Sequence, residues 1–483
     1  MVVALLVVIL LGMLMVYSMR KPKNFPPGPM WWPLVGSSIE MKRESKLVGG
    51  RQQIVLEKMC KKWKTNVIGL KLGSQLVVCV STFNVLKKVF DNEAFFARPN
   101  NFFIKLRTIG SSPGITCAEG KLFEEHKKFV LKSLQSRIGK VAMETKIFEE
   151  LEDVIQLINL QPQKVQFGKI MQPAVVNIIW SLIAGERIKR SDPQFLTLLR
   201  LLDERSKVFD MGGGTLSNFP WLRFVAPDWV GYTLINNLNM ELKNFFTKTI
   251  DDHHQNWNER QKNDLIYSYV SQKHDQLLMI ILDLFVGGAH SSAAVLDFAF
   301  LLMLHRPDIK RKVQANLDEA FAPTEPMRYS DRNRVPYLEA TLSEVMRYCH
   351  VFPVGGSRRA LQDTELEGYT IPKDTTILID LYSILNSKEA WGDPENFRPE
   401  RFIVNDKFEA IENYIPFGIG RRRCLGEVLA RRILFLVFAE VMRRYDVLPE
   451  EGKPLPSIMA QPGITALPQP YNARFVERIP YYK

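Results

Sequence analysis

The chain has 483 residues, of which 46% are hydrophobic and 24% charged, and its formal net charge is +12. This composition excludes a disordered or fibrous protein and allows a large buried core. The positive charge suits a nucleic-acid or membrane partner, but no basic and aromatic platform accompanies it, so we expect no nucleic-acid partner. The length would allow about three domains, yet no linker divides the chain, and we expect one large domain.

The first predicted element is an apolar helix at the N-terminus. Residues 2–19 contain no charge, and Arg20, Lys21 and Lys23 follow directly. The stretch is at the short end of what spans a bilayer, and its positive flank predicts that the rest of the chain stays in the cytosol. A cleaved signal peptide is the alternative, but no basic region precedes the apolar run and no A-x-A-like site follows it. We therefore predict a signal-anchor transmembrane helix over residues 1–19.

A basic and proline-rich hinge is predicted over residues 20–38. Its FPPGP segment, residues 25–29, cannot continue a helix and is predicted to be stiff, extended chain. Such a segment would hold the following domain at a fixed angle to a membrane. The remaining residues, 39–483, are assigned to the single large domain.

Segments of β type are predicted near both ends of this domain. Residues 67–80 (VIGLKLGSQLVVCV) carry β-rich apolar runs that Gly73 interrupts, as in a hairpin. Residues 365–381 (ELEGYTIPKDTTILIDL) repeat that form around Pro372 and Asp374. These segments predict a small β lobe.

The middle of the chain is predicted to be helical. Residues 148–160 and 277–304 have the apolar spacing of helices, and Pro307 ends the second stretch. The fold class predicted from these patterns is mainly α with a small β lobe.

Five cysteines are scattered along the chain, at positions 60, 79, 117, 349 and 424. They form no Cys-x-x-Cys pair and no Cys-x-x-Cys-His haem-attachment sequence, so neither a disulfide framework nor a zinc site is expected. This usage favours a reducing compartment. Cys424 differs from the others because it lies in the glycine-rich, basic run FGIGRRRCLG, residues 417–426.

The surroundings predicted for Cys424 suit a thiolate metal ligand. It precedes an apolar helical pattern, and both a helix N-terminus and neighbouring arginines lower the pKa of a thiol. Gly418 and Gly420 allow a tight turn, and Gly426 leaves room for a flat group. Arginines at 421–423 offer forks for carboxylates. A planar iron macrocycle with two propionates satisfies all of these features, whereas a buried free cysteine is the simpler alternative.

The loop resembles the haem loop of the cytochrome P450 family, Phe-Gly-x-Gly-x-Arg-x-Cys-x-Gly, at every fixed position. The resemblance implies the P450 fold and haem b, with Cys424 as the axial iron ligand and Arg422 on a propionate. It implies a monooxygenase that inserts one oxygen atom from O2 into a lipophilic molecule, with electrons from NADPH supplied through a reductase. The other cofactor-binding residues of the loop are then Phe417, Gly418, Gly420 and Gly426.

Two further motifs match the family. Glu344 and Arg347, in TLSEVMRY, share one helix face at a spacing of three residues, where they can pair. Arg401, in PERF, follows where the family places a second arginine. The resemblance makes these three residues a buried structural network behind the haem rather than a catalytic group.

The oxygen-activating helix departs from the family pattern. The family sequence Ala/Gly-Gly-x-Asp/Glu-Thr-Thr/Ser corresponds here to GGAHSS, residues 287–292. Ser291 and His290 are then the candidate catalytic pair, in which Ser291 keeps the hydroxyl and His290 replaces the acid. Three interpretations of His290 are open: a working proton relay, a passive replacement beside water and Ser291, or a loss of oxygen activation. If oxygen is still cleaved, we expect looser coupling of reductant to product than with an acid.

The propionate contacts depart as well. Microsomal members carry Trp-x-x-x-Arg in the segment at residues 121–134, and both side chains reach a haem propionate, whereas this chain has Phe123 and Lys127. Lys127 can pair with a propionate as a point charge, but Phe123 cannot donate a hydrogen bond. Arg359, in GSRRA, matches a further propionate arginine of the family.

The resemblance also implies a substrate pocket formed by four segments with mainly apolar side chains, any of which can instead be ordinary core. Such a pocket suits a terpenoid, steroid, fatty acid or foreign compound. The predicted pocket residues are Phe102, Phe103, Ile109, Ile115, Val286, Ala289, Val351, Val354 and Ile464.

Location and partners follow from the same resemblance. The FPPGP start and the RPNNFFIKLRTIGSSPGIT run resemble insect microsomal members, which implies the endoplasmic reticulum membrane with the catalytic domain in the cytosol. A basic face on the cysteine side would steer an acidic donor, NADPH–cytochrome P450 reductase, with cytochrome b5 as a second partner. A haem-thiolate isomerase and a non-catalytic haem or lipid carrier remain alternatives. The basic residues in question are at positions 127, 128, 132, 421, 423, 431 and 432.

Overall fold

The computed structural model describes residues 2–109, 114–135, 137–208, 214–256, 264–269, 274–322 and 324–478. The helices within them are α1 (Val2–Ser18), α2 (Ser38–Leu47), α3 (Gln52–Trp63), α4 (Phe83–Asp91), α5 (Phe102–Arg107), α6 (Gly120–Gln135), α7 (Arg137–Leu160), α8 (Phe167–Ala184), α9 (Pro193–Val208), α10 (Gly214–Asn218), α11 (Tyr232–Gln255), α12 (Leu265–Tyr269), α13 (His274–Gly288), α14 (Ser291–His305), α15 (Pro307–Ala320), α16 (Pro336–Cys349), α17 (Leu381–Leu385), α18 (Lys388–Trp391) and α19 (Glu427–Arg444). The strands are β1 (Val67–Leu72), β2 (Gln75–Val80), β3 (Val354–Arg359), β4 (Thr364–Leu366), β5 (Tyr369–Ile371), β6 (Thr376–Asp380), β7 (Ile403–Val404), β8 (Lys407–Phe408), β9 (Tyr445–Pro449) and β10 (Ala473–Glu477). The mainly α architecture with small sheets is confirmed.

The largest sheet has the strand order β1-β2-β6-β3. Strands β1 and β2 form the predicted hairpin, with Val67 opposite Val80 and the turn at Gly73, whose φ of 59° favours glycine. Strand β6 pairs parallel with β2 and antiparallel with β3, and all five of its residues are buried. The β lobe therefore carries a small core of its own.

The second predicted hairpin has its turn at a different position from the one predicted. Strands β4 and β5 pair across Glu367 and Gly368, which have φ angles of 51° and 78°. The chain around Pro372 and Asp374 instead leads to β6, which joins the large sheet. A two-residue turn with positive φ favours glycine at its second position, so Gly368 indicates the hairpin better than Pro372 does.

The predicted helices are present, but the longer one is interrupted. Residues 148–160 lie within α7, whereas 277–304 divides into α13 and α14 around Ala289 and His290. The chain turns again after α14, where Pro307 occupies the first position of α15. The interruption falls within the GGAHSS sequence.

Two stretches are apolar and long enough to cross a membrane, Phe167–Ala184 and Gln276–His305. They are respectively 67% and 61% buried inside the domain, as helices of a protein core are. Helices α8, α13 and α14 pack together in the main core, where Phe167 contacts the ring of Phe300 at a centroid distance of 4.3 Å. This core supports the site described below.

The N-terminal helix α1 is a separate case because its described apolar side chains are exposed. Val3 and Leu6, for example, are 74% and 60% exposed. At 17 residues the helix is about 26 Å long. The FPPGP segment that follows packs on β1, since the Gly69 amide donates to the Pro27 carbonyl at 2.8 Å. A Cβ at Gly28 would lie 2.1 Å from the Gly69 carbonyl oxygen, so only glycine fits this contact.

Candidate active site

A cavity of about 1230 Å³ lies inside the helical domain. Its wall includes Gly287 and Ser291 at the interruption between α13 and α14, and Cys424 in the glycine-rich loop before α19. Ligand pockets usually measure about 300–1000 Å³, so this cavity can hold more than one small molecule.

The glycine-rich loop holds Cys424 against the cavity through its own backbone. The Cys424 amide donates to the Phe417 carbonyl at 3.0 Å, which closes the loop, and the Gly418 amide donates to the Ile415 carbonyl at 2.9 Å. Gly418 and Gly420 have φ angles of 72° and 68°, a region that other residues enter only at a cost. The sequence spacing therefore encodes the direction in which the thiol points.

The expected lowering of the Cys424 pKa is wrong for the protein alone. Burial raises the pKa of this thiol above its ordinary value. The backbone amides of Gly426 and Glu427 and the charge of Arg423 act in the opposite direction, but they do not outweigh burial. A metal ion would reverse this balance, because a thiol that coordinates a metal ion releases its proton to solvent and binds as a thiolate.

Four arginines line this cavity: Arg423, which pairs with Glu427, and the cluster of Arg98, Arg358 and Arg422. Arg358 and Arg422 are buried, and no ion pair joins either of them to a carboxylate of the described residues. Burial, together with the charges of Arg98 and Arg422, lowers the pKa of Arg358 to about 8. Burial and the charge of Arg98 likewise lower the pKa of Arg422 to about 9. The cluster is suited to an anion that would occupy the cavity.

Phe123, which replaces the family tryptophan, supports Arg422 instead of donating a hydrogen bond. The Arg422 guanidinium lies 3.6 Å from the centroid of the Phe123 ring, and it donates to the carbonyls of Ile115 and Ala118. Its Nε has no partner among the described residues. A buried donor of this kind needs an acceptor, and the cavity is where one can bind.

Lys127 and Arg359 take positions other than those expected of propionate ligands. The Lys127 ammonium donates to the Arg421 carbonyl at 2.8 Å and so braces the cysteine loop. Arg359 pairs with Asp374 at 2.7 Å and with Glu119 at 3.1 Å. Neither is among the described residues that line the cavity. For Arg359 the reason is that side chains alternate along β3, where Arg358 takes the inward direction.

Glu344, Arg347 and Arg401 form one buried network. Arg347 donates to both carboxylate oxygens of Glu344, at 2.7 and 2.8 Å, and Arg401 donates to the same carboxylate at 3.3 Å. The side chains of Glu344 and Arg347 have no exposed surface, and that of Arg401 is 3% exposed. Arg347 also donates to the carbonyls of Leu385 and Pro394, so the network ties α16 to the segment before PERF.

The interruption between α13 and α14 shapes a second part of the cavity wall. A Cβ at Gly287 would meet no atom within 4 Å, whereas one at Gly288 would lie 2.2 Å from the Ile179 side chain. Gly287 thus leaves the cavity open, and Gly288 lets α13 pack closely on α8. Ser291 lines the cavity at the first position of α14.

His290 is not among the described cavity-lining residues, although Ser291 and Ser292 are. Its Nε2 lies 2.8 Å from an oxygen of Asp203 on α9 and 3.0 Å from the side-chain nitrogen of Gln172 on α8. The Gln172 amide also donates to the same Asp203 oxygen at 2.9 Å. The two candidate catalytic residues are thus brought to one helix turn but face different surroundings.

The predicted pocket residues are only partly brought together. Ile115, Val351 and Val354 line the cavity. Phe102 contacts Arg223 and Tyr232 instead, and the side chain of Phe103 lies outside the described residues. Four more, although described, do not line the cavity: the half-buried Ile109 and Val286, the fully buried Ala289 and the 37% exposed Ile464.

Comparison with known proteins supports the family resemblance of the glycine-rich loop. The family model described as Cytochrome P450 matches residues 26–475. The chain belongs to the cytochrome P450 family. It is 40% identical to the probable cytochrome P450 305a1 of Drosophila melanogaster, over 96% of each chain. It is 31% identical to cytochrome P450 2J5 of Mus musculus, over 98% of this chain and 96% of the relative, and 30% identical to farnesoate epoxidase of Bombyx mori, over 94% of each.

Membership makes this cytochrome P450 a haem monooxygenase, and its cavity fits such a cofactor. The thiol of Cys424 is at one wall, and Arg98, Arg358 and Arg422 form a cation cluster on the same cavity. The orphaned Nε of Arg422 is a donor available to a propionate. The donor set therefore suits an iron macrocycle with two carboxylates.

Three residues of this P450 site were missed from sequence. Arg98 precedes Pro99 in a loop with no distinguishing motif, and Arg358 is adjacent to Arg359, the predicted propionate ligand. Asp283 lies on α13, where its carboxylate accepts from the amides of Ile115 and Thr116 at 2.8 and 2.7 Å and so fixes Ile115 on the cavity wall. A lone acid in the apolar run LLMIILDLF was the signal that could have found it.

Proposed function

We propose that this chain is a membrane-anchored haem-thiolate monooxygenase with Cys424 as the axial ligand of the iron. The observation that carries the proposal is that the Cys424 thiol and the buried guanidinium groups of Arg358 and Arg422 line one cavity. A thiol with no cations would suit many small molecules, and cations with no thiol would suit any dicarboxylate. Their combination is what a haem with an axial thiolate requires.

Each residue of the site then has a defined task. Arg98, Arg358 and Arg422 would hold the haem propionates, and Lys127 would brace the cysteine loop through the Arg421 carbonyl. When bound, the haem would supply cleavage of dioxygen and transfer of one oxygen atom to the substrate. The hydroxyl of Ser291, which also lines the cavity, would hold or pass a proton there. Phe417, Gly418, Gly420 and Gly426 would give the loop its shape.

We infer a lipophilic small molecule as the substrate. Apolar side chains such as Ile115, Val351 and Val354 also line the cavity. One relative is named for an action on farnesoate, which is a terpenoid. A terpenoid, a steroid, a fatty acid or a foreign compound would all suit such a lining.

Membrane attachment through residues 1–19 is part of the proposal. Helix α1 is uncharged and exposed, and residues 20–38 dock on β1, so the domain at 39–483 would be held at a fixed angle. A second apolar surface supports it: Trp221, Phe224 and Trp229, between α10 and α11, are 58%, 77% and 67% exposed. The resemblance of the FPPGP start to microsomal family members favours the endoplasmic reticulum as the membrane.

NADPH–cytochrome P450 reductase is the proposed electron donor, with cytochrome b5 as a second partner. The basic face is weaker than the sequence suggests, because Arg421 pairs with Glu124, and both Arg423 and Arg431 pair with Glu427. Lys128 and Lys132 are exposed and remain the main candidates for contact with an acidic partner.

The carbon monoxide difference spectrum of the reduced full-length protein tests the ligand. We expect the thiolate-type band in the wild type and in Cys117→Ala, a matched control that removes another cysteine near Arg422. Cys424→Ala should lose the band completely. Survival of the band in Cys424→Ala, or its absence from the wild type, would contradict the proposal.

The class of reaction needs a second measurement. With reductase, NADPH and a lipophilic substrate, a monooxygenase consumes oxygen and forms an oxygenated product. A haem-thiolate isomerase would turn over without NADPH, and a haem or lipid carrier would show the spectrum without turnover. Substrate-stimulated oxygen uptake with product formation therefore selects the monooxygenase.

A further inference from the structure

We propose that Asp203 of α9 is a positioning residue for proton supply, which acts by fixing the imidazole of His290. The inference rests on the proposed function and deepens it. The family acid is absent from the helix turn at residues 289–291, but a carboxylate from a different helix contacts the histidine that replaces it, with 2.8 Å between Asp203 Oδ1 and His290 Nε2.

The contact is arranged to choose one tautomer of the imidazole. Asp203 Oδ1 receives a second donor, the Gln172 amide at 2.9 Å, so this oxygen is fixed between α8 and α9. The Gln172 nitrogen also lies 3.0 Å from Nε2, but the carboxylate oxygen is closer and can only accept, so it holds the proton on Nε2 of the neutral ring. Nδ1 is then the ring nitrogen with a lone pair, and it can take up a proton.

The Asp203 carboxylate is more exposed to solvent than the imidazole of His290. The Asp203 side chain is 46% exposed, whereas that of His290 is 12% exposed. Ser291, the next residue in the chain, lines the cavity. A proton that water delivers to Nδ1 makes an imidazolium, which the Asp203 carboxylate at Nε2 stabilises, and release of the Nδ1 proton towards the Ser291 hydroxyl or a cavity water restores the neutral ring. One proton enters and one leaves, and no electron is transferred.

This assignment favours the relay among the three interpretations of His290. A passive replacement requires no carboxylate partner, and the helix break could be held by Gln172 alone. A histidine whose Nε2 contacts a fixed carboxylate is instead arranged to carry charge reversibly. Asp203 thus supplies from α9 the negative charge that is missing from residue 290.

The test compares Asp203→Asn with Glu204→Gln in the full-length holoprotein. Glu204 is the adjacent carboxylate on α9, but it pairs with Arg200 and not with His290, so its replacement is a matched control. The measured quantity is the hydrogen peroxide released per NADPH oxidised. We expect this ratio to rise about threefold or more in Asp203→Asn and to stay at the wild-type value in Glu204→Gln.

Double replacement separates the relay from a helix contact. If Asp203 acts only through His290, then His290→Asn and Asp203→Asn combined should release no more peroxide than His290→Asn alone. Nitrogen-15 spectra of histidine-labelled holoprotein should show His290 protonated at Nε2 in the wild type and at Nδ1 in Asp203→Asn, because the new amide can donate to Nε2. Asp203→Ser is the second variant in case the asparagine variant does not fold.

Three results would overturn the inference: wild-type peroxide release in Asp203→Asn, additive effects in the double variant, or an unchanged tautomer. A fall in melting temperature with unchanged peroxide release would show a structural contact only and would also reject the relay. The carbon monoxide spectrum, recorded on each variant, keeps this outcome distinct from failure of the proposed function, which would show as loss of the thiolate band already in the wild type.

Discussion

The two walls of the cavity are built on different principles. On the cysteine wall, backbone hydrogen bonds and two glycines with positive φ fix the loop, and residues 417–426 contain nearly everything that this requires. On the wall formed by α13 and α14, the helix interruption brings Ser291 to the cavity, but His290 makes its contacts with Gln172 and Asp203, more than 80 residues earlier in the chain.

This difference between the two walls shows which functional features a continuous sequence motif can record. A ligand held by its own loop leaves a continuous signature, whereas a proton path depends on whichever helices pack against the break. Four predictions probe this contrast, from the largest expected effect to the smallest.

Replacement of Glu344 should give the largest change in stability. Glu344→Gln keeps the size of the side chain but removes the charge that compensates the fully buried Arg347. We expect a loss of about 3–5 kcal/mol in the free energy of unfolding. Chemical denaturation of the domain measures it.

Glu451→Gln is the control for this loss, because Glu451 is 86% exposed in its pair with Arg474 and should change little. A loss in Glu344→Gln no larger than in the control would show that the buried network does not stabilise the folded domain.

Arg358 and Arg359 are adjacent and distinguish the two possible propionate contacts. Arg358→Ala should speed haem loss about 10-fold to 100-fold, since a charged hydrogen bond contributes roughly 1.5–3 kcal/mol. Arg359→Ala should leave haem retention near the wild-type value, because its partners are Asp374 and Glu119. Transfer of haem to an excess of a scavenging protein gives both rates. The reverse order would return the contact to Arg359, as expected from sequence.

The helix of the oxygen wall should carry a pH dependence of stability. Burial raises the pKa of Asp297, on α14, from 3.8 to about 7. The buried, protonated carboxyl group of Asp297 therefore makes its full contribution to the free energy of unfolding below the pKa that it has in the unfolded chain. This contribution is lost as the pH rises towards 7, and the free energy of unfolding falls by at most about 1.4 kcal/mol per pH unit. Asp297→Asn should remove this loss, so its melting temperature should rise relative to the wild type between pH 5 and pH 7.

Asp308→Asn is the matched control: Arg306 lowers the pKa of Asp308 from 3.8, so its contribution changes only at lower pH and its melting curve should run parallel to the wild type between pH 5 and pH 7. Parallel melting curves of Asp297→Asn and the wild type across this pH range would contradict the prediction.

The features that could be predicted from the sequence are the local ones, and those that could not depend on contacts between distant segments. The mainly α fold, the β1–β2 hairpin and the Cys424 loop are local patterns, and each could be predicted. The choice of Arg358 over Arg359 could not, because it depends on which face of β3 meets the cavity. The Asp203 contact with His290 depends on the packing of α9 against the helix break, which no spacing along the chain records. The turn at Gly368 could have been predicted from its glycine, whereas the turn predicted around Pro372 is wrong.

The outer face of the cysteine wall should show the smallest effect, because most of its charges are already paired. Lys128 is exposed and forms no ion pair within the described residues, whereas Arg421 pairs with Glu124 at 2.9 Å. Lys128→Glu should raise the KM for reductase about twofold to fivefold at low ionic strength, and added salt should remove the difference. The control is Lys373→Glu, in the chain between β5 and β6. An equal change in both variants would mean that net charge, and not a docking face at Lys128, governs the encounter.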